Sequence, residues 1–214
     1  MKKYVFFDFD GTVFDTAEGI TKCVQYALDK LGIKAELSEL MCFAGPPLTE
    51  MFSRKYGFDA KTAEEAVALY RERYRPIGWA ECSPFEGMHE MILKLREKGI
   101  TTVVTTSKPK YFADRILEKH GMTGDFDLVC GSEFDGTRGK KWEVIDYALQ
   151  QLNITADEAV LIGDRMYDVD GAKKCGMDCI GVRFGYAEPN ELEEHGAIYV
   201  AENPEDLYEF LMKE

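Results

Sequence analysis

Asp8-Phe9-Asp10-Gly11-Thr12 closes an apolar run, Tyr4-Val5-Phe6-Phe7. In an extended backbone the side chains at i and i+2 point the same way, so Asp8 and Asp10 can serve one reacting centre, while Gly11 permits a sharp exit. Two carboxylates this close resist joint ionisation. Repulsion raises one pKa, which suits a proton donor, and a divalent cation would hold the other ionised. An Asp-Gly turn joining a hairpin is the competing reading, but no pairing strand follows Thr12 and helical periodicity begins soon after it. A second acid pair, Asp164 and Asp168, follows Val160-Leu161-Ile162-Gly163. If a helix starts there, these two lie one turn apart on the same face. Acids that merely complement a helix N-terminus are the plainer alternative. Oxygen-only ligands at strand ends suit a hard cation, Mg²⁺, which takes one or two carboxylates and keeps waters that phosphate can displace.

Two further segments could hold an anion. Val103-Val104-Thr105-Thr106-Ser107-Lys108-Pro109 offers hydroxyls and, before the next helix, free backbone N–H groups. Thr105 and Thr106 compete for the same role. Lys140 and Lys141 stand just before a helix beginning near Trp142. A lysine pair is ordinarily a solvated face. Here a crevice with four carboxylates and a phosphate needs a cation besides the metal. At roughly 4 Å and an effective dielectric near ~20, one opposite charge is worth about 4 kcal/mol before desolvation.

The elements that must position these residues follow from patterning. Continuous apolar runs at 4–7, 101–106, 126–130, 159–162 and 179–182, with a shorter one at 198–200, suit strands covered on both faces. Helical stripes lie between them: Met88, Met91, Ile92 and Leu95; Ile145, Ala148, Leu149 and Leu152; and Leu207, Phe210 and Leu211. Such alternation predicts an α/β fold, a doubly wound parallel sheet with its ligand crevice at the carboxyl ends of the strands. Residues 16–82 break the pattern with three helical stretches and no convincing strand, too long for a βα connection. The chain therefore divides into a core, 1–15 with 83–214, and an inserted helical domain, 16–82, hinged at 14–17 and 81–84.

Composition narrows the partners. A net charge of −13 argues against a nucleic-acid polymer. With 45% hydrophobic and 30% charged residues the chain has the composition of a globular protein. No apolar run approaches the roughly 18 residues of a membrane helix. Six dispersed cysteines without a CxxC read as reduced thiols, so a cytoplasmic protein is expected.

With Asp8-Phe9-Asp10-Gly11-Thr12, Thr106, Lys141, and Gly163-Asp164 with Asp168 in this order, the chain resembles the haloacid dehalogenase superfamily of phosphatases. It looks like the branch with a helical cap (C1) between the first two motifs and a Rossmann-like core. Phosphoglycolate phosphatase-like members are similar. Gly45-Pro46-Pro47-Leu48 and Ile162 to Asp168 look like a bacterial subset of 5′-nucleotidases. The resemblance implies that Asp8 is the nucleophile, forming an aspartyl phosphate, and that Asp10 is the general acid and later the general base. It implies that Asp8, the Asp10 backbone carbonyl and Asp164 bind Mg²⁺, with Asp168 binding directly or through water. Gly11, Thr106, Ser107 and Lys141 would bind phosphate. Specificity for a small phosphorylated metabolite would then reside in the cap, at Gly45, Pro46 and Arg54, with Arg71 a weaker candidate. Arg165 could pair with Asp164 and Asp168 or reach the cap. A monomer or weak homodimer is expected. Two alternatives stay open: a phosphomutase on the same core, and a receiver-like phospho-aspartate signalling domain, against which the insert and the Asp at +2 speak.

Overall fold

The computed structural model describes residues 2–213. In chain order the elements are β1 (Tyr4–Phe7), β2 (Phe14–Asp15), α1 (Ala17–Lys30), α2 (Leu48–Tyr56), α3 (Ala60–Tyr74), β3 (Ser83–Pro84), α4 (Met88–Glu97), β4 (Thr101–Pro109), α5 (Lys110–Lys119), β5 (Leu128–Ser132), α6 (Lys141–Leu152), β6 (Ala159–Gly163), α7 (Met166–Lys174), β7 (Asp178–Val182), α8 (Glu191–His195), β8 (Tyr199–Ala201) and α9 (Pro204–Lys213). Two compact units result, Met1–Phe14 with Pro84–Glu214, and Asp15–Ser83. The divisions fall at 14/15 and 83/84, one residue outward of those expected from the sequence.

The larger unit is built on a six-stranded sheet in the order β5-β4-β1-β6-β7-β8, with parallel pairing throughout. The apolar runs at 4–7, 101–106, 126–130, 159–162, 179–182 and 198–200 each supply one strand, because a strand buried on both faces must be apolar at successive positions. Register sets Phe6 beside Val103 and Leu161, and Leu161 beside Cys179. This row is buried against Val144, Ile145, Ala148 and Leu149 of α6 and Val169 and Ala172 of α7. At about 25 cal/mol per Å² of apolar surface, that shared face is a main source of the unit's stability. Because side chains alternate, the residue two beyond Phe6 emerges on the α6 and α7 side, just past the end of β1. That residue is Asp8.

The smaller unit is helical. The stripe Ile20, Val24 and Leu28 of α1 is buried, as is Ala63, Ala66, Val67, Tyr70 and Tyr74 of α3. Tyr70 and Tyr74 stack with their rings 5.2 Å apart, in keeping with a packing role. A guanidinium fork from Arg73 holds Glu81 through Nη1–Oε2 at 2.6 Å and Nη2–Oε1 at 3.0 Å. Gly45 and Pro46 lie between a 3₁₀ turn (Leu37–Phe43) and α2, and Arg54 stands on α2.

Candidate active site

Lys141 organises the carboxyl edge of the sheet. It is the first residue of α6 and its side chain is only 6% exposed. An ammonium at a helix N-terminus opposes the helix dipole, and burial adds desolvation, so it persists only among compensating anions. They are present. Nζ contacts Asp8 Oδ1, lies 2.8 Å from Asp168 Oδ1, and donates to the Thr105 carbonyl at 2.9 Å. Lys140 is exposed and serves as the N-cap, so the geometry separates the two lysines.

Asp8, Asp164 and Asp168 are all buried, and each offers a carboxylate oxygen within 4.8 Å of the others. Asp164 lies in the turn after β6, and α7 begins only at Met166. The expectation that Asp164 and Asp168 share one helical face is therefore corrected. They meet because Asp168 Oδ2 folds back as a cap, accepting from the Asp164 and Arg165 N–H groups at 3.2 and 3.0 Å. Asp164 Oδ2 accepts from the Tyr186 N–H at 2.8 Å, a contact in a loop that no sequence motif marked. Gly11 is required on the other side: its φ is +84°, and a Cβ there would stand 2.1 Å from Asp164 Oδ2.

Burial is the largest influence pushing the Asp8 carboxyl up to about 7, reinforced by Asp168 and Asp10 and opposed by the Lys141 ammonium. Burial, then Asp168 and Asp8, likewise push Asp164 well above the usual range, against the Tyr186 N–H and Arg165. For Lys141, burial lowers the pKa, but Asp168 and Asp8 outweigh it and hold the ammonium above its ordinary value. Three carboxylates face one ammonium. The uncompensated charge and the hard oxygen donors fit a divalent cation of the Mg²⁺ kind at Asp8, Asp164 and Asp168.

The remaining expected residues fall as follows. Asp10 is paired with Lys108, whose Nζ lies 2.8 Å from Asp10 Oδ1. Thr106 is buried within β4, just before the strand's irregularity, but the expected free N–H groups after it are not all free, because the Lys108 N–H donates to Thr106 Oγ1 at 3.1 Å. The Thr105 hydroxyl is buried, and its carbonyl is the Lys141 acceptor. Ser107 is exposed. The Arg165 side chain reaches Glu191. Its Nε lies 2.8 Å from Glu191 Oε1, and Glu191 also accepts from the Met166 and Glu188 N–H groups at 2.7 and 3.0 Å. Glu191 and Tyr186 were invisible as site residues because their partners come from distant parts of the chain. Gly45, Pro46 and Arg54 belong to the helical unit.

A parallel sheet whose central strand runs into an aspartate bound to a buried lysine, with two more aspartates beside it, defines a doubly wound α/β protein with an acidic centre at the carboxyl ends of its strands. The haloacid dehalogenase-like hydrolases match residues 5–182. A 5′-nucleotidase of Pseudomonas aeruginosa is 44% identical over 192 residues, 89% of this chain and 87% of its own. Tyrosine-protein kinase PtkA of Mycobacterium tuberculosis is 37% identical over 191 residues, 89% of this chain and 65% of its own. The crystal structure of a predicted phosphatase from Clostridium acetobutylicum superposes with a TM-score of 0.95 at 40% identity, covering 100% of both chains. The chain belongs to the haloacid dehalogenase-like hydrolase family and is an enzyme of its phosphatase kind.

Proposed function

We propose that the protein is a Mg²⁺-dependent phosphatase of small phosphomonoesters, of the 5′-nucleotide or phosphoglycolate type, working through an aspartyl phosphate on Asp8. The observation that carries this is the Lys141 ammonium bound to Asp8 and Asp168 at the strand ends, with Asp164 beside them. Asp8, Asp164 and Asp168, with the Asp10 carbonyl, would hold the ion. When bound, it supplies positive charge that keeps Asp8 ionised and draws electrons from the phosphoryl oxygens.

The Asp8 carboxylate attacks phosphorus, and the bond from phosphorus to the ester oxygen breaks as Asp10 gives that oxygen a proton. The freed alcohol leaves. Asp10, now ionised, takes a proton from water as the water oxygen attacks the acyl phosphate, which releases inorganic phosphate and restores both carboxyl groups. Lys141 offsets charge on the nucleophile and the transferring group together, and Thr106 with the Gly11 and Ser107 amides contributes donors to the phosphoryl oxygens. The helical unit, through Gly45, Pro46 and Arg54, selects the leaving group. A phosphomonoester metabolite of this kind and six cysteines outside any disulfide fit a cytoplasmic setting.

The test is phosphate release in Mg²⁺ across 5′-nucleotides, 2-phosphoglycolate, sugar phosphates, phosphotyrosine mimics and pyrophosphate, with Asp8→Asn as control. Turnover on at least one phosphomonoester is expected for the wild type and none for the variant. Retained turnover in Asp8→Asn would falsify the covalent route.

A further inference from the structure

Lys108 stands where β4 stops alternating. Thr106 pairs with Gly131 and Pro109 with the next residue, Ser132, so Ser107 and Lys108 are extra on the β4 side. Bulges of this sort re-aim side chains, and they recur beside active sites. This one is held from three directions. The Lys108 N–H donates to Thr106 Oγ1 at 3.1 Å, and Ser132 Oγ donates to the Ser107 carbonyl at 2.8 Å. A Cβ on Gly131 would stand 2.8 Å from the Lys108 carbonyl oxygen, so a glycine at this position lets the bulge lie against β5.

The result is an ammonium withdrawn from water. The Lys108 side chain is 6% exposed, and its Nζ lies 2.8 Å from Asp10 Oδ1. Lysines ordinarily keep their charged ends hydrated, and a buried one needs a compensating partner. Asp10 Oδ1 is sealed from solvent, so the 17% exposure that the Asp10 side chain retains lies elsewhere on it. Lys141, the other buried lysine of this edge, is committed to Asp8, Asp168 and the Thr105 carbonyl.

We propose that Lys108 is the positioning residue for Asp10. By anchoring Oδ1 it fixes the carboxyl plane and leaves Oδ2 as the oxygen that delivers the proton to the leaving group and later collects one from water. The assignment rests on the proton-transfer role proposed for Asp10. A positioning error at a proton donor is felt only where the leaving oxygen needs the proton. It should therefore appear as a dependence on leaving group, unlike a general loss of folding or of phosphate binding.

The experiment compares kcat/KM for 2,4-dinitrophenyl phosphate, whose leaving group needs no acid, with that for an alkyl phosphate, in wild type, Lys108→Met, Lys108→Arg, Asp10→Asn and Lys108→Met/Asp10→Asn. Lys108→Met should lose about 10- to 100-fold on the alkyl ester and at most about threefold on the dinitrophenyl ester, within the span of general acid catalysis. Inhibition by inorganic phosphate should stay unchanged, Lys108→Arg should show the same selective loss in smaller measure, and the double variant should be no worse than Asp10→Asn alone. An equal loss on both esters, a weakened inhibition by phosphate, or additivity in the double variant would overturn the proposal. An Asp10→Asn variant without leaving-group dependence would remove the acid role of Asp10 and this assignment with it. A dependence in Asp10→Asn that is missing from both Lys108 variants would remove the Lys108 assignment alone. Should Lys108→Met fail to fold, Lys108→Arg carries the same comparison.

Discussion

Asp164 and Lys141 occupy one cluster and pull stability in opposite directions. Asp164 is a buried carboxyl held among like charges and pushed well above its usual pKa by burial, Asp168 and Asp8. Asp164→Asn keeps an acceptor for the Tyr186 N–H while removing the charge. In metal-free protein at neutral pH it should raise stability by about 1 kcal/mol or more, read as a higher urea midpoint, and should abolish activity. Lys141→Met leaves Asp8 and Asp168 buried without their counter-charge and should cost about 3 to 5 kcal/mol. If the two substitutions moved the midpoint in the same direction, the electrostatic account of the cluster would be wrong. The acids and Lys141 were legible in the sequence, since each stands at the end of an apolar run or the start of a helical stripe. Lys108 was not, because only the two-residue bulge against Gly131 turns it toward Asp10.

At the scale of elements, ion pairs tie chain segments that patterning cannot connect. In the helical unit, Arg73 near the end of α3 grips Glu81, and Lys22 on α1 adds Nζ–Oε1 at 3.3 Å. The Arg73 hydrogen bond, above all, holds Glu81 below its usual pKa, aided by Lys22 and opposed by burial. A carboxyl whose folded pKa is depressed contributes stability above its unfolded value and loses it as pH falls through the folded one. Lowering the pH from about 6 to about 3 should therefore destabilise wild type more than Glu81→Gln, measured by denaturant midpoints across that window. Equal losses would show that the pair contributes nothing there. In the larger unit, burial raises Glu191, but Arg165 and the Met166 and Glu188 N–H groups outweigh it and keep the carboxyl ionised below its ordinary range. That link fastens the start of α7 to the first residue of α8, a few residues after Tyr186, whose amide reaches Asp164.

Over the whole molecule, a cation that binds only the folded chain must raise its stability by mass action, by about 2.7 kcal/mol at 100 times Kd. Mg²⁺ should raise the Tm of wild type but not of Asp164→Asn, with calcium-free buffer and matched ionic strength as control. Glu191→Gln, which loosens the segment that sets the Tyr186 amide on Asp164, should need about tenfold more Mg²⁺ for the same shift. A chain of net charge −13 also attracts cations without a site. A shift of the same size in Asp164→Asn would assign the effect to that general attraction. No helix among the described residues is long and apolar enough to cross a membrane.

What the amino-acid order determined by itself was local. Apolar runs such as 159–162 must be covered on both faces, stripes such as Met88, Met91, Ile92 and Leu95 must bury one side, and Asp8, Asp164 and Thr106 stand where apolar runs give out. Register and alternation then carried these residues to one edge of the sheet, since period and burial are properties of short segments. Tertiary structure decided the partners. Arg165 reaches Glu191, Asp168 folds back as a cap, Tyr186 lends an amide to Asp164, and Lys108 meets Asp10. Such pairings depend on loop paths and a strand irregularity that bring groups together across long stretches of chain, and no periodicity encodes that distance.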